Sequence, residues 1–351
     1  MYYTKQSYYD RFSCLAASCP ESCCKGWQIM IDESSLEKYR LLSKKDERAE
    51  RGIDWEEGCF KQEEKRCCLL DTDELCHLQR CYGEDMLCET CSRYPRHMEE
   101  FENVREYSIS LSCPKAARDM LTDSKPMEFS SWEDDAYEEY EDFDLLLYEK
   151  LADARESLFQ ITQNRQLSLS ARLELLLDAG FQLQTLLDEN RIFEMEECLS
   201  SLEQKEDVSL SPDDLEKRFF SVLFSLETLH EDWPDILDHC WETLFSKKNT
   251  NESIGDFESY VKRHTIAGEQ LLMFFLFTYF CGAVYDDWIY SKVCLAVYSV
   301  KWIFFIAFSR STKKDSSEED ILIQTAWQYA RETEHSDLNL DHLEEWFMDQ
   351  F

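Results

Sequence analysis

Apolar residues recur at every third or fourth position along the chain from about residue 150 onward. Leu173, Leu176, Gly180 and Phe181 form one such stripe. This spacing puts the side chains on one face of an α-helix, and an apolar face is typical of a helix that packs on a core. The whole chain of 351 residues has only 8 glycines and 6 prolines to interrupt helices. We therefore expect residues 150–351 to form an all-helical domain.

The first part of the chain has two short stretches, 27–32 and 107–112, in which apolar and polar residues alternate. A period of two is typical of a β-strand with one buried face, so both are predicted strands, and whether they pair is left open. Asp32 is a predicted N-cap for a short helix that runs to about Leu42. The predicted fold class is mostly α, with a small α+β cysteine-rich metal domain at the N-terminus and a helical C-terminal domain.

Two longer apolar runs, 271–285 and 293–308, were compared with the length of a membrane span. The first run has 15 residues and the second contains Lys301, whereas a span needs about 18 or more apolar residues. Both runs are therefore expected to be buried helices. Residues 1–5 lead into no apolar segment of the signal-peptide kind. These features predict a cytoplasmic protein without a membrane partner, in which thiols stay reduced.

Cysteine is distributed unevenly, since 12 of the 16 cysteines lie within the first 113 residues. Clustered cysteines in a reducing compartment more often bind metal than form disulfides. Four thiolates hold a zinc ion or an iron–sulfur cluster. Cys19 with Cys23, and Cys88 with Cys91, have zinc-knuckle spacing, while the ferredoxin run C-x2-C-x2-C is absent. The sequence predicts a metal centre of open identity, with disulfides and free buried cysteines as the alternatives.

Other candidate ligands are weaker. His77 and His97 lie near the cysteines, but a lone histidine is more often a surface or hydrogen-bonding residue. The remaining four cysteines occur in helical stretches, where a small core residue is the ordinary interpretation. They are Cys198, Cys240, Cys281 and Cys294.

The charge is strongly and unevenly negative. The net charge is −36, of which residues 1–125 carry −6 and residues 126–351 carry −30. Such a chain repels phosphate backbones, so nucleic-acid binding is not expected, and it attracts cationic partners. Between residues 133 and 144, eight of twelve residues are acidic. We interpret 126–149 as an acidic connector between a cysteine-rich metal-binding domain, 1–125, and the helical domain; a docking strip for a lysine-bearing substrate is the alternative.

Five linked motifs in the first 118 residues occur in one order. They are Phe12-Ser13-Cys14, Cys19 with Cys23-Cys24-Lys25-Gly26-Trp27, the Cys67 to Cys76 segment, Thr90-Cys91 with Tyr94-Pro95-Arg96, and Ser110-Leu111-Ser112-Cys113-Pro114. In order and spacing they resemble the flagellin lysine N-methylase family. The resemblance covers about a third of the chain. The C-terminal two thirds supports it only through length and helical character.

The resemblance implies a protein-lysine N-methyltransferase that acts on flagellin with S-adenosylmethionine as methyl donor. It favours an iron–sulfur centre of the 4Fe–4S type in the N-terminal domain, with zinc as the alternative. Four further cysteines lie outside the family pattern: Cys59, Cys68, Cys81 and Cys88. Eight cysteines match it, which is enough for two centres or for one centre with structural cysteines. These eight are Cys14, Cys19, Cys23, Cys24, Cys67, Cys76, Cys91 and Cys113.

Lysine methylation sets chemical requirements. The ammonium group, with a pKa of about 10.4, must lose a proton before nitrogen attacks a methyl group. Arg93 and Arg96 are candidates to bind the methionine carboxylate of the donor as bidentate partners, and a structural turn at 94–96 is the alternative. Tyr94 and His97 are candidate bases. Polar displacement and radical transfer both remain open.

A second interpretation comes from a different class of protein. The charge of −30 over residues 126–351, together with the lack of a recognised catalytic triad, suits a non-catalytic adaptor. In this interpretation a structural zinc or iron domain positions the acidic helical domain against a cationic protein partner. Metal and sulfide analysis of the anaerobically purified protein separates the two interpretations, because a colourless protein with one zinc favours the adaptor.

Overall fold

The structure, a computed structural model, describes residues 1–202, 210, 212–246, 251–311 and 316–351, with the backbone alone at 251–253. The described chain is mostly helical with a small sheet region near the N-terminus, which confirms that part of the predicted fold class. The α-helices are α1 (Glu33–Leu42), α2 (Glu47–Arg51), α3 (His77–Tyr82), α4 (Glu89–Arg93), α5 (Pro114–Leu121), α6 (Leu145–Thr162), α7 (Leu169–Asp188), α8 (Met195–Ser200), α9 (Asp214–Phe220), α10 (Trp233–Leu244), α11 (Asn251–Arg263), α12 (Thr265–Tyr279), α13 (Ala283–Asp286), α14 (Ile289–Ser311), α15 (Glu318–Glu334) and α16 (Asp337–Met348).

Strands pair in one four-stranded sheet and two small ribbons. The strands are β1 (Tyr2–Gln6), β2 (Ile53–Asp54), β3 (Cys59–Phe60), β4 (Gln62–Glu63), β5 (Arg66–Cys67), β6 (Arg96–Phe101), β7 (Val104–Ile109) and β8 (Phe129–Glu133). The sheet has the order β6-β7-β1-β8, in which β1 runs parallel to β7 and antiparallel to β8. The strands β2 and β3 form one ribbon, and β4 and β5 form the other. The four-stranded sheet therefore joins the first residues of the chain to the acidic segment.

Two sequence-based predictions in this region differ from the structure. Residues 27–32 are not a strand: one isolated bridge forms there, from Met30 to Cys59, and another lies just before it, from Lys25 to Arg66. The partner segments are only two residues long, which is too short to extend a ladder. The predicted strand at 107–112 begins and ends three residues earlier, because Pro114 starts α5. Its neighbours are β1 and β6, so the two predicted strands do not pair.

The predicted short helix is confirmed as α1. The Asp32 side chain accepts a hydrogen bond from the backbone N–H of Ser35 at 2.9 Å, as an N-cap does. The apolar stripe of α7 is confirmed in part, because Leu173, Leu176 and Gly180 are buried while Phe181 is 49% exposed. At Gly180, a Cβ atom would lie 2.8 Å from Val293 Cβ. Glycine thus lets α7 approach α14 closely.

The helix α14 forms the centre of the helical part, in contact with α7, α10, α12, α15 and α16. It is one of two segments in the described chain that are long and apolar enough to cross a membrane; the other is Thr265–Asp286. Their most apolar windows are 94% and 83% buried inside the protein, respectively. Such burial is expected of core helices, and the sequence-based expectation of buried helices agrees with it.

Apolar packing is divided between two clusters. The larger includes Ile109 and Leu111 after β7, the helix α5, and the inward faces of the helices from α6 to α16. The smaller surrounds Tyr39 and Leu78 in the cysteine-rich region. Phe129 in β8 stacks on Phe277 of α12 with ring centroids 4.6 Å apart. The sheet is thus packed against the helices, whereas the division at 126–149 stays a prediction.

A buried ion pair fixes the sheet to the helices. Arg155 in α6 donates to Glu106 in β7, with one Nη1–Oε2 distance of 2.6 Å and a second, shorter bond. Arg155 also donates to the backbone carbonyl of Phe277 in α12 at 3.1 Å. Arg155 and Glu106 are both buried. One guanidinium thereby joins β7, α6 and α12.

Candidate functional site

A cavity of about 680 Å³ opens between the end of the cysteine-rich region and the helical part. One wall comes from α4 and β6, and the opposite wall comes from α12 and from the segment that joins α15 to α16. Aromatic rings line much of it. The lining residues include Tyr9, Trp27, Thr90, Arg93, Tyr94, Arg96, His97, Glu99, Tyr107, Ser110, Phe274, Tyr279, Glu334 and His335.

The C-terminal end of α15 organises this wall. Ser317 caps the start of the helix by accepting from the Asp320 backbone N–H at 3.1 Å. At the other end, Arg331 donates to the carbonyls of Ser112 (3.0 Å), Glu21 (3.2 Å) and Ser22 (3.4 Å). The last turn of α15 therefore holds the loop that carries the first cysteines.

Glu332 holds a third segment at the same place. Its carboxylate accepts from the backbone of Leu229 at 2.8 Å and from His230 Nδ1 at 2.7 Å. The His230 ring in turn lies against Gly26, where an added Cβ would be only 2.6 Å from Nε2. Gly26 also has a φ of +87°, which favours glycine. The glycine of the Lys25-Gly26-Trp27 motif thus allows Trp27 to reach the cavity.

Glu334 is the carboxyl group at the centre of the helical wall. Ser110 Oγ donates to its Oε2, while its Oε1 is buried and has no hydrogen-bond partner among the described residues. Burial raises the pKa of Glu334 to about 7, against smaller lowering effects of the Ser110 hydrogen bond and of His97. Near neutral pH this carboxyl group therefore exists in both protonation states.

His335 and Tyr94 form a polar and aromatic group beside Glu334. The His335 ring stacks on Trp27 with centroids 4.7 Å apart. Both His335 Nε2 and the Tyr94 hydroxyl are 3.0 Å from Ser112 Oγ. Burial lowers the pKa of His335 to about 3, so the ring is neutral at physiological pH. Burial raises the pKa of Tyr94, which keeps its hydroxyl protonated.

The structure brings the predicted residues Arg93 and Arg96 to the same cavity, with different surroundings. Arg93 is paired with Glu89 at 2.5 Å. The Arg96 guanidinium lies over the rings of Tyr9 and Phe12, 5.6 and 5.5 Å from their centroids. Within the described ranges, Arg96 has no ion-pair partner. Of the two, Arg96 is the one available to an incoming anion.

The two predicted bases differ in how they are placed. His97 also lines the cavity, with Nε2 2.6 Å from Glu99 Oε1. Burial lowers the pKa of His97, but the hydrogen bond to Glu99 outweighs this effect and the pKa is raised overall. The raised pKa of His97 leaves it a candidate base, whereas burial keeps the Tyr94 hydroxyl protonated. The assignment of a base to either residue stays a prediction.

Charge effects between thiols connect the eight cysteines of the family pattern in two groups, and Cys68 and Cys88 act on members of the first group as well. The first cysteine group is Cys24, Cys67, Cys76 and Cys91. The second cysteine group is Cys14, Cys19, Cys23 and Cys113. Adjacent residues Cys23 and Cys24 join the two groups, and the hydrogen bond between their thiols lowers the pKa of Cys24.

The grouping of the cysteines does not by itself show that their thiols are arranged as metal ligands. All sixteen cysteines, which lie within the described ranges, are free thiols. In the part of the chain that the structure describes, no three His, Cys, Asp or Glu side chains converge as metal ligands. The donor chemistry fits an iron–sulfur or zinc centre, because each group supplies the four thiols that one centre takes. The predicted metal ligands thus remain a prediction.

The remaining cysteines, and the other histidine that the sequence suggested as a ligand, lie outside the two cysteine groups and have neighbours of their own. Cys88, outside the family pattern, shares a hydrogen bond with Cys91 that lowers the pKa of Cys88. His77 is held by Asp46 at 2.8 Å, and its Nδ1 is 3.6 Å from Cys81. Among the four C-terminal cysteines, Cys198 is half-buried, and the others are core residues: Cys240, Cys281 and Cys294.

Sequence reasoning missed Glu334 and His335. A signal was present, since Ile323, Trp327 and Ala330 repeat at helical spacing and the next position of that stripe is Glu334. A carboxyl group on the inward face of a helix is uncommon unless it is paired or functional. The stripe would therefore have marked Glu334 as buried, although not the cavity beside it.

Comparison with known proteins finds one family model and several curated relatives. The model of the FliB lysine N-methylase C-terminal domain matches residues 155–351. A lysine-N-methylase of Salmonella typhimurium is 32% identical over 139 residues, which are 36% of this chain and 34% of that protein. The flagellar biosynthetic protein FliU of Salmonella muenchen is 31% identical over 136 residues, 35% of this chain and 79% of that protein. The chain thus matches about a third of the length of the lysine-N-methylase. No solved structure matches.

Proposed function

The chain belongs to the FliB lysine N-methylase family, and from this premise we propose that it is a protein-lysine N-methyltransferase that methylates flagellin. The proposed methyl donor is S-adenosylmethionine. One observation carries the proposal: a single cavity is lined by the Thr90 to Arg96 motif and by residues of the matched C-terminal region, including Phe274, Tyr279 and Glu334. The two parts of the chain that resemble the family thus meet at one site.

The walls of the cavity suit this chemistry. Aromatic faces stabilise sulfonium and ammonium groups by cation–π contacts, and they desolvate an amine so that its pKa falls. Glu99 and Glu334 supply negative charge for a lysine side chain. The acidic segment at 133–144, which is mostly exposed, attracts a cationic substrate by long-range charge.

Arg96 is the proposed partner of the donor's carboxylate. Replacing it by alanine should raise the Kd for S-adenosylmethionine about tenfold or more, because charge-assisted hydrogen bonds contribute about 1.5–3 kcal/mol each. Arg93→Ala should have a smaller effect, since Arg93 is paired with Glu89. Isothermal titration calorimetry under anaerobic conditions measures both, with the exposed and distant Arg40→Ala as control. Unchanged affinity in Arg96→Ala would remove this residue from the donor site.

The metal centre is proposed for the cysteine groups. The first cysteine group, Cys24, Cys67, Cys76 and Cys91, would hold one 4Fe–4S cluster, with zinc as the alternative. The second cysteine group would hold a second centre or stay structural. When bound, such a cluster supplies redox chemistry or an open iron site. Iron and sulfide analysis after anaerobic purification identifies the metal, and serine variants of one group at a time assign it.

The proposed activity is tested by co-expression of the chain with flagellin, followed by intact-mass measurement of flagellin. The expected result is a series of mass increments, each equal to one added methyl group on lysine. A flagellin of unshifted mass with S-adenosylmethionine and a loaded metal centre contradicts the proposal. In that case, stable binding of flagellin without methylation favours the non-catalytic adaptor, for which the exposed acidic segment is the supporting observation.

A further inference from the structure

Glu334, whose Oε1 is buried, differs in what neutralises it from four glutamates of the core, and also from Glu332, which is paired with His230. Four glutamates in the core each have an arginine or lysine partner. The pairs are Glu106 with Arg155, Glu216 with Lys301, Glu269 with Arg172, and Glu344 with Lys292. Within the described part of the chain, Glu334 has no arginine or lysine at ion-pair distance. Its only hydrogen bond comes from Ser110, on Oε2.

The missing cation and the cavity occur at the same place. Glu334 lines a cavity that also presents the rings of Tyr9, Tyr94, Tyr107 and Tyr279. A buried carboxylate without a partner is costly, and a cationic ligand that enters the cavity would remove this cost. The terminal torsion of a glutamate rotates easily, so Oε1 can turn toward such a ligand. A primary ammonium on a long apolar stem, the chemistry of lysine, fits both features.

We infer that Glu334 binds the ammonium group of the target lysine and accepts its proton, and is thus a catalytic residue of the reaction. This inference rests on the proposed methyltransferase function. Three other carboxyl groups line the cavity: Glu99 is engaged by His97 at 2.6 Å, Glu89 is paired with Arg93, and Asp337 is exposed. Among these lining residues, Glu334 is the one with a buried oxygen that has no partner within the residues described, and it is therefore the carboxyl group that is free for the substrate.

The proposed step balances as a polar displacement. The carboxylate of Glu334 takes one proton from the lysine ammonium, which leaves a neutral carboxylic acid and a neutral amine. The nitrogen lone pair forms a bond to the methyl carbon of the sulfonium donor. The carbon–sulfur bond breaks with its electron pair on sulfur, which becomes a neutral thioether. The positive charge ends on the methylated ammonium, and Glu334 returns its proton to solvent before the next turn.

Groups that face Glu334 set the pH range of this step. Tyr8, Tyr279 and Tyr329 surround it, and burial raises the pKa of all three, so they stay neutral. His97 is the group whose positive charge, when it is protonated, lowers the pKa of Glu334. Because burial raises the pKa of Glu334 to about 7, the carboxylate forms as pH rises through neutrality. The ascending limb of kcat/KM should have its midpoint there.

The test compares Glu334→Gln, Glu334→Asp and the unchanged chain on flagellin at several pH values. Glu334→Gln should lower kcat/KM at pH 7.5 by about 100-fold or more, the usual scale of a lost general base. Its residual rate should keep rising with pH beyond neutrality, since only lysine that is already neutral reacts. Glu334→Asp should retain part of the rate and should still show the rise of kcat/KM with pH near neutrality. Glu319→Gln, exposed on the same helix, should match the unchanged chain.

A measurement without turnover completes the test. Infrared difference spectra of the cofactor-free protein should show the C=O stretch of a protonated carboxylic acid that is lost near pH 7, and that is missing in Glu334→Gln. An unchanged kcat/KM and pH profile in Glu334→Gln would overturn the inference, as would a Glu334 ionised at pH 5. If the unchanged chain fails to methylate flagellin, the proposed function fails, and the infrared titration alone decides whether Glu334 exchanges a proton near neutrality.

Discussion

Replacing Arg155 by methionine should lower the free energy of unfolding by about 3–5 kcal/mol, the usual cost of removing one partner of a buried ion pair. The change leaves the Glu106 carboxylate buried without its cation, and the carbonyl of Phe277 loses its donor. Since β7 also supplies Tyr107 and Ser110 follows it, the cavity loses its support at the same time. Urea unfolding followed by circular dichroism measures the effect.

The pH dependence of this variant has a definite sign. An unpaired buried carboxyl prefers its protonated form, so the stability lost in Arg155→Met should shrink as pH falls and grow as pH rises. The double variant Arg155→Met with Glu106→Met should recover much of the loss, because neither charge then remains. Arg191→Met, which breaks an exposed pair, is the matched control and should change stability by less than about 1 kcal/mol. Equal losses in Arg155→Met and Arg191→Met would contradict the assignment.

Replacing Arg331 by methionine should lower the free energy of unfolding by about 2–4 kcal/mol, and it should also abolish the proposed methyl transfer. The guanidinium donates to the carbonyls of Ser112, Glu21 and Ser22. The buried carbonyl of Ser112, left without a donor, costs about 1–3 kcal/mol, and the two half-buried carbonyls, which water can reach, add less. Arg331 also lies over the ring of Trp327, 4.9 Å from its centroid. The loop with Cys19 and Cys23 and the segment with Ser112 and Cys113 would both lose their attachment to α15.

Lysine at position 331 is the informative conservative variant. Its single ammonium cannot reach three carbonyls in the planar geometry of arginine, so Arg331→Lys should recover only part of the stability. The matched control is Arg118→Met, whose ion pair with Asp320 in the first turn of α15 is half exposed and should contribute little. Differential scanning calorimetry and the flagellin mass assay report the two effects. If Arg331→Met and Arg118→Met both unfolded at the Tm of the unchanged chain, this role of Arg331 would be contradicted.

Local signals in the sequence predicted local structure well. The Asp32 cap and the apolar stripe of α7 are determined by residues a few positions apart; the cap formed as expected, and the stripe formed except at the exposed Phe181. The alternation at 27–32 failed, because a strand also needs a partner of adequate length, and the partners there are two-residue strands. Strand pairing depends on distant segments, which alternation alone does not identify.

The candidate site divides in the same way. The N-terminal wall, with Arg93, Tyr94 and Arg96, was predicted because those residues lie in one short motif. The C-terminal wall was not, since Glu334 meets Ser110 only across 224 positions of sequence. Grouping of the cysteines into two sets of four likewise depends on how the ribbons β2–β3 and β4–β5 fold. Family motifs identify the residues of a site, but they do not show which distant residues those motifs contact in the fold.

The last turn of α15 has a consequence for the order in which the protein forms. Its contacts with Glu21, Ser22 and Ser112 span between 219 and 310 positions. Contacts of such separation close long loops and form late in folding. During synthesis, the N-terminal wall leaves the ribosome long before its counterpart. A nascent chain thus exposes its N-terminal thiols well before Glu334 is synthesised, so the proposed loading of metal can precede the proposed activity.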